Sequence, residues 1–185
     1  MREIAGPEDG RSFCVYGCGP DTHDARMAAE KLARAGYGDV LEFRDGLPVG
    51  GEFVFDMDKI ACTNLAGDPL HDVLVDHLRS HDFFDTGIHP EARFVIGSAR
   101  RIGDATAGLP NLRIEGELTL KGTTLPLGFD AVAGFTGDGL PAAQAVLAID
   151  RTMWNVIYGS ARFFRNLGMH LVNDLVEIHL RIVAK

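Results

Sequence analysis

The chain predicts a mainly β protein, an antiparallel meander that closes into a barrel around one short helix and is preceded by a small β-α-β segment. Three observations carry this: apolar and polar residues alternate at period two over most of the chain after residue 46, short glycine-containing turns separate the alternating runs, and one amphipathic helical stretch interrupts them. The same pattern divides the chain into residues 1–46, the β-α-β segment, and residues 47–185, the barrel.

Ser12 to Tyr16 reads as a short strand, followed by the loop Gly17-Cys18-Gly19-Pro20-Asp21-Thr22. From His23 to Ala35, Met27, Ala28, Leu32 and Ala35 fall at helical spacing with Arg26, Glu30, Lys31 and Arg34 between them. Asp21 or Thr22 can cap that helix, and Gly36 supplies the left-handed residue that ends it. A strand at Asp39 to Phe43 completes a unit too small to be stable alone. Phe53, Phe55 and Met57 then alternate with Glu52, Val54, Asp56 and Asp58, as a half-buried strand requires. Leu70 to Ser80 is helical, with Leu70, Val73, Leu74, His77 and Leu78 on one side.

The cleanest alternation sets Leu112, Ile114, Gly116, Leu118 and Leu120 against Arg113, Glu115, Glu117, Thr119 and Lys121, with a turn at Gly122-Thr123. Leu125, Leu127, Phe129 and Ala131 continue the apolar face. After the turn Gly137-Asp138-Gly139 come Ala143, Ala145, Leu147 and Ile149, and the last strand sets Val176, Ile178, Leu180 and Ile182 against Glu177, His179 and Arg181.

Composition narrows the function. The chain has 185 residues, 46% hydrophobic and 24% charged, which suits a globular protein with a real core. No apolar run approaches the ~18 residues that span a bilayer, so the protein is not expected to be integral to a membrane. A net charge of −8 without a basic face argues against nucleic acid. The N-terminus lacks the basic and apolar stretches of a secretory signal, which predicts a cytoplasmic product. Cys14, Cys18 and Cys62 are an odd number with poor spacing for zinc and are read as reduced thiols. No metal or cofactor is expected, since His77, His81, Asp82 and Asp85 lack an evident third ligand and rigid surround, and Gly17 and Gly19 do not continue as a phosphate-binding fingerprint.

Several ordered motifs give residues 46–185 a close resemblance to the YceI-like family. They are His77-Leu78-Arg79-Ser80-His81-Asp82-Phe83-Phe84-Asp85 with His89-Pro90 and Phe94; Gly116 to Leu127; Arg151-Thr152-Met153-Trp154 with Tyr158-Gly159-Ser160; and Asn173-Asp174. The resemblance implies a lipocalin-like antiparallel β-barrel enclosing a tunnel for a polyisoprenoid, an isoprenoid quinone or a similar lipid, usually in a periplasmic or secreted protein. Members open with two more strands before the segment equivalent to 50–57; without them the barrel is incomplete unless the β-α-β unit or a second copy of the chain covers it, which points to a homodimer. Residues 13–46 resemble instead the second half of a rhodanese domain, carried by Val15-Tyr16, the loop, Ala28-Ala29-Glu30-Lys31-Leu32 and Gly36-Tyr37. Gly17 stands where that family's cysteine would follow Tyr16, and Cys18 comes one place later.

Apolar strand faces by themselves favour a packed core, and it is the family motifs that turn the preference toward a tunnel. Its candidate lining is Phe53, Phe55, Phe94, Leu118, Leu120, Phe129, Leu147, Ile149 and Trp154, of which half are equally at home in a core. Ala131, Ala143 and Ala145 leave room among them. Arg151 is a candidate donor to a ligand headgroup at the tunnel mouth, and Trp154 lines the entrance or simply packs. The expected function is non-catalytic binding of an apolar lipid. The alternative is a residual sulfurtransferase or thiol-redox protein in which His23 activates Cys18.

Overall fold

The computed structural model describes residues 13–17, 40–44, 47–165 and 171–183. Eight strands form one sheet in chain order: β1 (Phe13–Gly17), β2 (Val40–Arg44), β3 (Leu47–Asp56), β4 (Glu91–Arg101), β5 (Leu112–Leu120), β6 (Thr123–Phe135), β7 (Pro141–Asp150) and β8 (Leu175–Val183). β1 runs parallel to β2, Phe13 opposite Val40, and every later pair is antiparallel. The sequence leaves β3 with no strand ahead of it in the barrel. The structure corrects this: β2 pairs with β3, Val40 opposite Glu52, so the hydrogen-bonded ladder runs across residue 46.

β3 to β8 curl into an antiparallel half-barrel, and among the described residues β8 pairs with β7 alone and β1 with β2 alone. The alternation dictates which face turns inward. Ala92, Phe94 and Ile96 of β4, Leu112, Ile114, Leu118 and Leu120 of β5, and Phe129, Ala131 and Ala133 of β6 are all buried, while most residues between them reach solvent. Curvature has local causes. The β4–β5 register shifts between Ile96 and Ser98, a bulge that bends β4. Opposite it, Gly116 lets the Phe94 ring lie flat against β5; a Cβ there would come within 2.1 Å of the Val95 carbonyl oxygen and 2.8 Å of the ring.

The β5–β6 hairpin turns at Lys121 and Gly122, one residue earlier than the alternation predicts. Both have positive φ (46° and 73°), the pair of left-handed residues that a two-residue hairpin of the favoured twist needs. The Lys121 ammonium donates to the His81 carbonyl at 2.9 Å, which ties the turn to the segment after the helix.

That helix, α1 (Leu70–Arg79), is the sole α-helix among the described residues. The Asp68 carboxylate accepts from the Leu70 N–H at its start, and Asp72 in the first turn and Arg79 in the last suit its dipole. Arg79 reaches back to donate to the carbonyls of Asp58 and Ile60. α1, the loop that follows it and the 3-10 turn Arg151–Trp154 gather at the end of the half-barrel where β7 hands over to β8. No helix among the described residues is long and apolar enough to cross a membrane.

Candidate ligand-binding groove

The concave face of the sheet encloses a cavity of about 540 Å³, within the range of small-molecule sites. Its wall is mostly hydrocarbon because each of β3 to β8 contributes its inward alternation. Phe53 and Phe55 come from β3, Phe94 from β4, Leu118 and Leu120 from β5, Phe129 from β6, and Leu147 and Ile149 from β7; all eight line the space. Ala131, Ala143 and Ala145 lie in the same wall, where their small side chains leave the volume open. The alternation also marks Ile114, Leu127 and the β8 residues Ile178, Leu180 and Ile182, which the structure adds to the lining. Ile96 and Phe84 also line the space, though neither stands in the candidate lining read from the sequence. Ile96 sits in a strand whose period breaks at the bulge, and Phe84 comes from an irregular loop with no period to read.

Trp154 stands outside this wall. It is buried in the end cap, and its indole N–H donates to the Leu118 carbonyl at 2.9 Å. The expected packing role fits that placement, and the entrance role does not.

Arg151 requires the larger correction. It touches the cavity, but at a closed end rather than a mouth: it is 1% exposed. Its guanidinium donates from Nε to the Asn173 carbonyl (2.9 Å), from one terminal nitrogen to the Val156 carbonyl and from the other to the Val172 carbonyl (3.0 Å), with Asp174 3.5 Å away and the Phe83 ring beneath at 5.5 Å. Its hydrogen bonds therefore pin Val156, Val172 and Asn173 over the end of the barrel, and a ligand headgroup has no claim on them. Burial lowers the guanidinium's pKa, and Asp174 and Asp150 oppose the shift. Asp150 is drawn below the usual carboxylate range chiefly by the Thr152 hydroxyl, which donates at 2.6 Å, with Arg162 adding a second bond at 2.8 Å against the opposing effect of burial.

The remaining histidines of the helix motif are accounted for without chemistry. His77 packs edge-on against Phe83 and Tyr158, and His81 pairs with Asp82 at the surface. Among the described residues no three His, Cys, Asp or Glu side chains are placed to hold a metal ion. Cys14 lies in β1, and Cys18 and His23 lie outside the described residues.

The cavity opens sideways. Most inward side chains of the middle strands are buried, whereas some on β3 and β8 reach solvent: Phe55 of β3 is 42% exposed and Val176 of β8 38%. The site is a groove along a half-barrel, closed at the Arg151 end.

A half-barrel with an apolar, sideways-opening cavity and an end cap of α1 and a 3-10 turn defines a class of β-barrel proteins built around an interior space. The chain belongs to the YceI-like family: the model of the YceI-like domain matches residues 23–184. It is 36% identical over 95 residues to Protein YceI of Escherichia coli, a stretch covering 48% of this chain and 47% of that one. A UPF0312 protein of Pseudomonas putida is 40% identical over 63 residues, 34% of this chain and 29% of its own length. The chain thus spans less than half the length of these relatives. Among solved structures, Burkholderia cenocepacia BcnA superimposes with a TM-score of 0.60 at 23% identity, covering 80% of this chain and 83% of that one. The Campylobacter jejuni YCEI protein gives 0.59 at 16% identity, covering 80% and 79%. Both share the fold. The family match takes in residues 23–46, and the rhodanese resemblance of that segment finds no support in these comparisons.

Proposed function

We propose that this protein binds a long apolar chain, a polyisoprenoid or isoprenoid quinone, in the groove of its half-barrel and carries or sequesters it without catalysis. The observation that supports this is the cavity itself: about 540 Å³ walled by aliphatic and aromatic side chains from six strands, with alanines where a packed core would place larger residues. Binding would draw on burial of methylenes at ~0.8 kcal/mol each, offset by the ordering of the chain. No polar group inside is needed for it, and Arg151 is committed to its own main chain.

Leu147 lies at mid-length on the lining of β7, and an aspartate there would place an unpaired carboxylate in the groove. A titration with farnesol tests the proposal. The wild-type protein is expected to bind saturably and Leu147→Asp at least tenfold more weakly; equal binding by the two, with the variant still folded, would contradict it.

Among the described residues β8 pairs with β7 alone, which supports a second, compatible proposal, that two copies associate to complete the barrel. Analytical ultracentrifugation decides it, a monomer at every accessible concentration being the contrary result.

A further inference from the structure

We infer that the groove is a blind slot that measures its ligand, admitting about four isoprene units of a chain and leaving any further units in water; this rests on the lipid-binding proposal and adds a length limit to it. Two observations carry it. The first is the closed end. The lining runs out at Met57, Phe84, Leu120, Ile149 and Arg151. Behind them stand the buried Phe83, Trp154 and Val156, held by the Arg151 bonds to the carbonyls of Val156, Val172 and Asn173 and by the Trp154 bond to Leu118. A chain pushed along the groove meets a wall that is hydrogen-bonded into place, and it cannot thread past without breaking those bonds.

The second observation is the volume. A carbon-sized group takes up close to the ~30 Å³ share of a water molecule, so 540 Å³ holds about eighteen of them, which is roughly four isoprene units. Since the guanidinium at the blind end is spent and the wall there is otherwise apolar, the hydrocarbon tail occupies that end and the polar head stays outside.

Ala145 sits in the wall partway along the slot. It is buried in the wall of β7, opposite Leu180 of β8, and a larger side chain there projects into the cavity. Val146, the next residue, faces away and is exposed, so the same enlargement there leaves the slot untouched.

The experiment is a binding series with geraniol, farnesol, geranylgeraniol and solanesol on the whole protein, the Ala145→Phe variant and the Val146→Phe control, each checked for native far-UV circular dichroism. The inference predicts that wild type and V146F bind at least about tenfold tighter at each step up to geranylgeraniol and gain nothing further with solanesol, while A145F reaches its plateau already at farnesol. Solanesol binding wild type tenfold tighter than geranylgeraniol, or a plateau that A145F leaves where it was, would overturn the length limit while the binding proposal stands. Failure of all four alcohols to bind would overturn both.

Discussion

Trp154 and Leu118 are joined by a single hydrogen bond, indole N–H to carbonyl at 2.9 Å, that ties the turn after β7 to the middle of the sheet through the interior of the end cap. In Trp154→Phe an aromatic ring still fills most of the site, but the second fused ring is lost and the Leu118 carbonyl loses its buried donor. The variant should lose about 1–2 kcal/mol of stability. Because Trp154 is the only tryptophan, urea unfolding of the pair has to be followed by circular dichroism.

Arg151 is expected to be irreplaceable by lysine. A lysine keeps the charge but has no planar fork with which to serve the carbonyls of Asn173, Val156 and Val172 together. Arg151→Lys should cost about 2–4 kcal/mol and speed amide hydrogen exchange selectively in residues 156–165. Uniform exchange with no loss of stability would show that the cap does not depend on it.

How far the sequence discloses these features depends on whether a period carries them. The β5–β6 hairpin, β7 and β8 are legible to within a residue or two, because each has a wet face and a dry face. α1 is legible for the same reason at helical period. β4 has the pattern too, in Ala92, Phe94 and Ile96, but the bulge after Ile96 breaks it midway and the strand escapes notice. The pairing of β2 with β3 joins the five-residue β2 to the first half of β3, ahead of the alternation at Phe53 and Phe55, and nothing in that stretch announces a partner. Arg151 shows the other limit. Its position beside the barrel is legible from the motif, but its partners are main-chain carbonyls of an irregular segment, and hydrogen bonding to a backbone leaves no trace in residue type.

Gly116 should tolerate no side chain. The Cβ of an alanine would overlap the Val95 carbonyl oxygen and press on Phe94, both in the packed centre of the sheet. Gly116→Ala is predicted to lose about 3 kcal/mol or more, read as a lowered midpoint in thermal melts.

Asp150 makes the cap sensitive to acid. Its pKa is lowered in the folded protein, so its contribution is complete above the ordinary unfolded value of about 4 and is lost as pH falls through the folded one. Asp150→Ala, which removes the bonds to Thr152 and Arg162, should cost about 1–2 kcal/mol at neutral pH. The gap between the two proteins should narrow at pH 3 in paired urea titrations; an unchanged gap would mean that the carboxylate's charge is immaterial there.

The most direct test of the central claim is native mass spectrometry of the protein purified from the cells that make it, followed by organic extraction of whatever travels with it. Occupation of the groove by a lipid predicts a complex heavier than the chain by one apolar molecule, which the extract identifies as a prenyl lipid or quinone. A folded protein that comes through at the mass of the bare chain, and that stays bare after incubation with such lipids, would contradict it.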